Sequence, residues 1–413
     1  MKERPEQLTL SNYVGIMRIL YSRIPKGESS NMKRVLFGII KTIMLLVKSV
    51  VCVMCVAMMV VLLASVAITG GKLITTGQTS AMNYKFMDRF DMTMTNTFSD
   101  VLDGILSIKK VYWLSDDDLI APEPNQECFG ETTDPVVLQA LLDDAQDLLE
   151  GQQTLFTADR QIYEGSSVKY YLDDSILAVT WKELRDDSIY TIAEIKIADP
   201  SQFRRFLADG EYASGRQYVA TEMAATVNAV VAANGDFYSF RDIGIIVHNG
   251  ELMRMEGYDM DTCFIDKNGD LQFAFAREMV DRAETEKFLE ENGVRFSIAF
   301  GPVLIENGEL CKLPGFYPVG EGDIGYPRAA LCQLDELHYL IVTVGAEPPY
   351  EKRNGHTLDV FAENLLEMGC VQAYNLDGGQ SATLVMNDKT VNYVWMRKIS
   401  DIIYFATAIP DGD

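Results

Sequence analysis

The chain of 413 residues is 48% apolar and 23% charged, which is typical of a globular protein long enough to bury a large core. Its net charge of −24 is uneven: residues 1–48 hold nine Lys and Arg against three Glu, a net +6, so the remainder carries −30. Because an acidic body of this size repels nucleic acid and anionic lipid, we expect no nucleic-acid partner.

Cysteine and histidine usage gives no indication of a metal site. Cys52 and Cys55 lie within an apolar run, and the other five cysteines are widely scattered. The chain has only three histidines, and no Cys/His cluster has the spacing of a zinc site. We therefore predict no metal and no cofactor, and we expect most cysteines to be small buried side chains.

Residues 49–69 form an uncharged run of 21 residues. A helix of roughly 20 apolar residues spans the hydrocarbon layer of a membrane. Basic residues precede the run, and only Lys72 follows it closely, so the positive-inside rule puts residues 1–48 in the cytoplasm. A cleavable signal peptide with Ser65 and Ala67 at its processing site is the alternative, but its apolar region should be about 7–15 residues long.

The segment that follows predicts a linker and a helical stalk over residues 70–150. Apolar residues recur there at steps of three and four, as one stripe of a helix does; they are Met82, Phe86, Phe90, Met94, Phe98, Val101, Leu102 and Ile105. The stripe fits a stalk that pairs with a second copy or packs on the body, and it equally fits an ordinary core helix. Residues 151–413 form the predicted main domain, outside the cell.

From Ser166 onward the pattern changes to short β-rich runs separated by turns. We predict strands at residues 176–181, 189–197, 229–233, 339–344 and 400–409, and helices at 200–207, 221–228, 284–292 and 358–369. Asn249-Gly250, Asn268-Gly269 and Asn307-Gly308 predict hairpin turns with positive φ at both residues. Hairpins mixed with a few helices predict an α+β domain with a mixed sheet and packed helices.

Residues 373–385, AYNLDGGQSATLV, predict a strand, a tight polar turn and a second strand. Two adjacent glycines let the backbone of the turn approach another group closely. Asp377 lies beside them, between runs that are expected to be buried, where an unused carboxylate is costly. The simpler interpretation is a plain hairpin turn, since Asp-Gly is a strong hairpin signal.

A second polar turn, at residues 234–238, resembles the first, because each has an Asn two residues before an Asp. Asp236 and Asp377 could therefore meet across a cleft as the carboxylate pair that cleaves glycosidic bonds, one as acid and one as base or nucleophile. Each turn alone is equally explained as an Asx turn.

Three further polar residues lie near predicted turns. Arg328 follows a proline before an apolar run and could bind phosphate through two donors, although such a residue is more often part of a surface ion pair. His356 could act as an acid or base near neutral pH, although a loop histidine is usually only solvated. Ser381 lacks a nearby histidine and a nucleophile-elbow motif, so we expect it to form hydrogen bonds.

Six stretches in a fixed order resemble the phosphodiester glycosidase family. They are NGDFYSFRDIGIIVHNGEL (234–252), FGPVLIENGEL (300–310), YPRAALCQ (326–333), the helix at 358–369, AYNLDGGQSATLV (373–385) and RKISDIIY (397–404). The likeness covers about residues 166–413. It implies hydrolysis of a sugar-1-phosphodiester, with cleavage of the bond between sugar C1 and oxygen and release of a phosphomonoester.

The resemblance also implies roles for individual residues. Asp236 and Asp377 would be the catalytic carboxylates, and Arg328 would bind the phosphate. Substrate would be positioned by Asn234, Asn375, Ser381 and the backbone of Gly378 and Gly379. This sequence departs from the family pattern at Ala329, Cys332, Glu347 and Gln380, which puts the substrate and the activity in question.

The sequence therefore predicts a membrane-anchored, outward-facing glycosidase that acts on glycan phosphodiesters of the cell surface or its surroundings. The alternative is a non-catalytic glycan-binding or exopolysaccharide-assembly protein with a degenerate copy of the domain. The predicted partners are the glycan substrate, the membrane, and a second copy of the chain through the stalk.

Overall fold

The computed structural model describes residues 112–113, 120–236, 238–256, 259–314, 317, 322–345, 355–394 and 396–410. The predicted cytoplasmic tail, transmembrane helix and apolar stripe of the stalk lie outside the described residues, as does Glu347. In the described part of the chain, no helix combines the length and the apolar character needed to cross a membrane.

The described residues form short strands and a few helices. The strands are β1 (Tyr112–Trp113), β2 (Phe129–Thr132), β3 (Val168–Leu172), β4 (Ile176–Arg185), β5 (Ser188–Ile197), β6 (Phe203–Leu207), β7 (Val231–Asn234), β8 (Gly244–His248), β9 (Glu251–Glu256), β10 (Thr262–Ile265), β11 (Leu271–Ala274), β12 (Phe296–Ile298), β13 (Val303–Glu306), β14 (Glu309–Leu310), β15 (Arg328–Asp335), β16 (His338–Gly345), β17 (Gln372–Leu376), β18 (Leu384–Met386), β19 (Lys389–Thr390), β20 (Asp401–Phe405) and β21 (Ile409–Pro410). The α-helices are α1 (Pro135–Asp144), α2 (Gln146–Leu149), α3 (Ala220–Thr226), α4 (Arg282–Asn292) and α5 (Leu358–Glu367).

Two antiparallel sheets organise the described residues. The large sheet has the order β14-β13-β17-β15-β16-β5-β4-β3-β2, and the small sheet has the order β19-β18-β7-β20-β6. The chain between β7 and β13 forms a hairpin, β8-β9, and a three-stranded sheet, β11-β10-β12. This arrangement confirms the predicted α+β class with a sheet-rich architecture.

The main core lies between the large and small sheets, where alternate side chains of their strands meet; it includes Ile195, Leu331, Tyr374, Val231 and Phe405. The opposite face of the large sheet is covered by α1, α2 and α5, and the opposite face of the small sheet is covered by α3. Both faces of the large sheet are therefore buried, which explains why its central strands are apolar almost throughout.

The segment before residue 151 contributes to the same body. β2 pairs with β3 at the edge of the large sheet, and Leu138, Leu142 and Leu149 of α1 and α2 pack in the apolar cluster on its helical face. These elements precede the start predicted for the main domain.

The predicted hairpins are confirmed. The three Asn-Gly pairs join β8 to β9, β10 to β11 and β13 to β14. Both residues have positive φ at Asn249-Gly250 and Asn307-Gly308, as the turn type requires, whereas at the remaining pair only Gly269 does. Local turn chemistry therefore sets the register of these strand pairs.

The helix predicted at residues 200–207 is wrong. A single 3₁₀ turn, Pro200–Gln202, is followed by strand β6, which pairs antiparallel with β20. Phe203 faces the main core and Phe206 faces the cluster under α3, an alternation that only a strand provides. Pairing with a strand about 200 positions away outweighs the local preference.

The interpretation of residues 373–385 as a plain hairpin is also wrong. β17 lies in the large sheet and β18 in the small sheet, so the turn between them connects the two layers. A 3₁₀ turn, Gly379–Ser381, makes this connection. The polar turn therefore lies at the junction of the two sheets.

The side chain of Phe361 packs between α5 and the large sheet, so replacing it tests how much this packing contributes to stability. The side chain is fully buried, and its ring centroid lies 6.2 Å from that of Tyr190 in β5. We expect Phe361→Ala to lower the free energy of unfolding by about 3–5 kcal/mol, because it leaves a cavity under α5. Urea denaturation measures this loss, with exposed Val371→Ala as the control, expected to change stability by less than about 0.5 kcal/mol. Equal midpoints for the two variants would contradict the packing described.

Candidate functional site

A cavity of about 450 Å³ opens where β15 begins and β17 ends. The two strands are antiparallel neighbours, with Ala329 opposite Leu376, so these ends lie at the same edge of the large sheet. The cavity is lined by Phe300, Gly301, Pro302, Tyr317, Tyr326, Pro327, Arg328, Leu358, Asn375, Asp377, Gly378 and Gly379. Five of the predicted site residues, Arg328 and four within residues 375–379, therefore share one cleft.

Asp377 follows β17 directly and is 8% exposed. Arg397 donates hydrogen bonds from Nη2 to the carboxylate of Asp377 and from Nε to Oγ of Ser381. Burial raises the pKa of Asp377, and Asp236 adds to that rise, while the hydrogen bond from Ser381 and the charge of Arg397 lower it. Asp377 is thus a carboxylate on the cleft wall, held in orientation by a cation and a hydroxyl.

Asn234, at the end of β7, connects the two polar turns. Its Nδ2 donates to the backbone carbonyl of Asp377 at 2.8 Å, and its Oδ1 accepts from the amide of Thr383 at 3.0 Å. Asn234 is 1% exposed and does not line the cavity. Its contacts position the turn that carries Asp377, behind the cleft surface.

Arg328 lines the same cavity with its charge largely buried. Its Nε donates to the carbonyl of His356 at 3.0 Å and its Nη2 to the carbonyl of Ile324 at 2.7 Å, while the guanidinium lies 5.5 Å from the ring centroid of Tyr326. Burial lowers the pKa of Arg328 to about 10, so the group remains a cation at neutral pH. A buried cation of this kind is suited to an anionic group of a ligand.

His356 supports Arg328 through its backbone. Its side chain is 8% exposed, and its ring centroid lies 5.6 Å from that of Tyr190, away from the residues that line the cavity. Burial lowers the pKa of His356. Burial therefore favours the neutral form of this side chain, which does not line the cavity.

Asn375 presents a buried acceptor in the cleft. Its Nδ2 donates to the carbonyl of Gly301 at 2.7 Å, which fixes the orientation of the amide. Its Oδ1 has no hydrogen-bond partner among the described residues, and the side chain is 2% exposed. A buried acceptor without a donor is costly, so this oxygen is suited to an O–H or N–H group of a ligand.

The two glycines of the turn allow it to pack against the start of β15. A Cβ atom at Gly378 would lie 2.7 Å from the carbonyl oxygen of Pro327. Gly379 has φ of 60°, and its amide donates to that carbonyl at 2.8 Å. The amide of Gly379 is thus occupied within the protein, and the two glycines let the turn after Asp377 approach the backbone of Pro327.

Asp236 lies outside the cleft lining, with a side chain that is 0% exposed. Its carboxylate accepts from the amides of Tyr238 and Ala299, each at 2.8 Å. Arg205 Nη2 lies 3.0 Å from Asp236 and 2.7 Å from Asp401, which is also fully buried. The predicted pair is therefore asymmetric: Asp377 faces the cleft, and Asp236 lies beneath it in a buried ionic network.

Three functional residues were missed by the sequence reasoning. Arg397 and Asp401 both fall in the RKISDIIY stretch, whose charged residues could have been assigned to the two acidic turns. Arg205 lies in β6 between Phe203 and Leu207. The three residues occupy alternate positions and so share one face of the strand, and this was the available signal of an inward-facing guanidinium.

Other places in the described residues were less suited to the predicted chemistry. No group of three or more His, Cys, Asp or Glu side chains in these ranges is arranged to hold a metal ion. A larger cavity of about 870 Å³ lies between the edge strand β6, the turn after β8, and α4, and none of the predicted site residues lines it. The smaller cavity is the better candidate because it combines Arg328, Asp377 and the free acceptor of Asn375.

The chain is similar to one known protein family. The family model described as phosphodiester glycosidase matches residues 227–406. This part of the chain is similar to a phosphodiester glycosidase domain. The matched range includes every predicted site residue together with Arg397 and Asp401, whereas Arg205 precedes it.

Solved structures with similar folds were also found. The catalytic domain of zebrafish N-acetylglucosamine-1-phosphodiester alpha-N-acetylglucosaminidase, described as auto-inhibited by its pro-peptide, is 20% identical, with a TM-score of 0.46 over 63% of this chain and 93% of that chain. A hypothetical protein from Synechocystis is 15% identical, with a TM-score of 0.41 over 60% of this chain and 64% of that chain. No curated protein sequence matches the chain.

The contacts of Ser381 predict the effect of removing its hydroxyl. We expect Ser381→Ala to raise the pKa of Asp377 further, because a hydrogen bond that favours the ionised carboxylate is lost. Carbon-detected NMR titration of the Asp377 side chain measures this shift. Ser400→Ala is the matched control, since the Ser400 hydroxyl is buried but makes no hydrogen bond among the described residues. An unchanged or lowered pKa in Ser381→Ala would contradict the geometry.

Proposed function

We propose that this protein is a membrane-anchored, outward-facing phosphodiester glycosidase that hydrolyses a sugar-1-phosphodiester in cell-surface or extracellular glycans. The family match supports a glycosidase-type hydrolase. The observation that supports the finer assignment is the cleft itself, where a buried cation, a held carboxylate and a free acceptor line one cavity. The anchor is the uncharged run at residues 49–69.

Arg328 binds the phosphate in this proposal. The bond that breaks joins sugar C1 to the bridging oxygen, which leaves with the electron pair as part of a phosphomonoester. A phosphate oxygen is a fair leaving group, so the usual proton donor of a glycosidase matters less. Stabilising the negative charge that develops on the phosphate matters more, and a cation in a partly dry cleft does so effectively.

Asp377 acts on the sugar in this proposal, as the ionised carboxylate that stabilises positive charge at C1 or activates the attacking water. Water supplies the hydroxyl that ends on C1, and its proton passes to the carboxylate or to the released phosphate. Arg397 orients Asp377 and favours its ionised form, which is what a base or nucleophile requires. One carboxylate on the cleft wall suffices in this proposal because acid assistance to the leaving group matters less than usual.

Asp236 has a positioning role in this proposal. Its side chain is fully buried and bonded to two amides and Arg205, so it does not touch the substrate. It acts through the turn that contains Asn234, which in turn contacts the carbonyl of Asp377.

The second candidate function is glycan binding without catalysis, and the departures from the family pattern favour it. Ala329 and Cys332, however, are fully buried in the apolar clusters on the two faces of the large sheet and do not line the cleft. These two departures therefore change core packing, whereas Asp377 and Arg328 are retained. For this reason we favour the enzyme.

Asp377→Asn is the direct test of catalysis. We expect it to lower kcat by about 10²–10⁴-fold on sugar-1-phosphodiesters, because the amide can neither stabilise C1 nor accept a proton. Release of free sugar from a panel of nucleotide-sugars and sugar-1-phosphodiesters is the measurement. Asp388→Asn, an exposed turn residue on the same segment, is the matched control. Glycan binding by the unaltered protein with no turnover of any diester would favour the second candidate function.

Arg328→Lys tests whether Arg328 binds the phosphate. Lysine keeps the charge but loses the planar donors, so we expect KM for a sugar-1-phosphodiester to rise by about tenfold or more. KM for an aryl glycoside of the same sugar, which lacks phosphate, should change much less. Circular dichroism checks that the variant is folded. Equal rises in both KM values would show that Arg328 does not recognise the phosphate.

A further inference from the structure

The buried network beneath the cleft contains unequal numbers of opposite charges. Arg205, Asp236 and Asp401 have side chains that are 0% exposed, so two carboxyl groups share one guanidinium away from solvent. An uncompensated charge in such a site is strongly unfavourable. The network is therefore balanced only if one of the two carboxyl groups holds a proton.

The hydrogen bonds assign that proton. Both oxygens of Asp236 accept from backbone amides, and one also faces Arg205, so neither oxygen of this carboxyl group is free to carry a proton. In Asp401, Oδ2 accepts from Nε of Arg205 and lies 2.7 Å from its Nη2, whereas Oδ1 has no hydrogen-bond partner among the described residues. The Oδ1 atom of Asp401 is the position free to carry a proton.

We propose that Asp401 is a protonated positioning residue that keeps Asp377 in its working orientation and releases this hold when it ionises. This proposal rests on the proposed function, because Asp377 is assigned there as the carboxylate that acts on the sugar. Asp401 itself does not contact the cleft.

A continuous set of contacts connects Asp401 to Asp377. The amide of Gly235 donates to the backbone carbonyl of Asp401 at 3.2 Å, and the amide of Asp236 donates to its Oδ2 at 3.3 Å. A Cβ atom at Gly235 would lie 2.0 Å from Oδ2 of Asp401, so only glycine allows this approach. The preceding residue, Asn234, donates to the carbonyl of Asp377.

Ionisation of Asp401 would disturb this set of contacts. A second negative charge would compete with Asp236 for Nη2 of Arg205, which lies within 3.0 Å of both carboxyl groups. The other titratable groups facing the network are Tyr238, over whose ring Arg205 lies at 5.4 Å, and His248 and Asp377, which interact electrostatically with Arg205 and Asp236. Burial lowers the pKa of His248 to about 4, so it supplies no compensating charge at neutral pH.

The direction of the pH effect follows from the pKa of Asp401. Burial raises it to about 7 from a usual value of 3.8, with Asp236 adding to the rise and Arg205 opposing it. A raised carboxyl pKa stabilises the fold fully below the unfolded value, and that stability is lost as pH rises toward the folded value. The contribution of Asp401 should therefore decline between about pH 4 and pH 7.

The first part of the test needs no activity. Melting temperature is measured against pH for the full chain, for Asp401→Asn and for Glu309→Gln, an exposed carboxylate on β14. Asparagine mimics the protonated carboxyl group, so the difference in melting temperature between the unaltered protein and Asp401→Asn should change steadily between about pH 4 and pH 7. The melting temperature of Glu309→Gln should follow that of the unaltered protein over the same range. Parallel curves for all three proteins would overturn the proposal that Asp401 holds a proton.

The second part tests the connection to the cleft through the pH profile of kcat. The unaltered protein should lose activity on the alkaline side with an apparent pKa of about 7, and Asp401→Asn should move that loss to higher pH. An unchanged alkaline limb would overturn the positioning role while leaving the proton assignment intact. Failure of all three proteins to hydrolyse any diester would count against the proposed function instead.

A spectroscopic measurement covers the case in which Asp401→Asn does not fold. The infrared carbonyl band of a buried protonated carboxyl group should be present in the unaltered protein one pH unit below the pKa of about 7 and lost one unit above it. Absence of this change would overturn the proposal without any variant.

Discussion

The side chain of Asn234 is the contact on which the site depends, because it joins the two sheets at their polar edge. β7 belongs to the small sheet and β17 to the large sheet, and no backbone hydrogen bond of either sheet connects the end of one strand to the other in the described residues. One amide instead donates to the carbonyl of Asp377 and accepts from the amide of Thr383. Because it is buried, neither bond can be replaced by water without a cost.

The charged groups of the cleft are held by partners of different kinds, and this difference matters for what they can do. Asp377 is held by an opposite charge, which favours its ionised state. The guanidinium of Arg328 donates to the backbone carbonyls of His356 and Ile324, and these two bonds orient it. The cleft thus has an oriented cation where β15 begins and an oriented carboxylate where β17 ends.

The sequence predicted those features that short stretches determine. The Asn-Gly turns, the helix that Thr357 caps and the acidic turn at Asp377 all follow from neighbouring residues, and all are present. It could not predict features that depend on distant partners. β6 is a strand because β20 pairs with it, and Asp236 is buried because Arg205, from that same strand, draws its carboxylate inward. The spacing of Asn and Asp is the same in the two acidic turns, so it predicts the same role for both. Arg205 of β6 makes them different, because it pairs with Asp236 beneath the cleft while Asp377 lines it.

The overall acidity of the chain is compatible with the proposed anionic substrate, because the acidic surface and the groups inside the cleft act over different distances. Outside the basic tail the chain carries −30, which would repel a phosphodiester at long range. At physiological salt, however, screening limits the interactions of exposed charges to a range of about 8 Å, whereas the charges of groups inside a cleft are screened much less. Within that range the proposed substrate would meet Arg328 on the cleft wall, and Arg397 pairs with Asp377. In the proposed reaction these groups act at short range, and the acidic surface would affect mainly the rate of encounter.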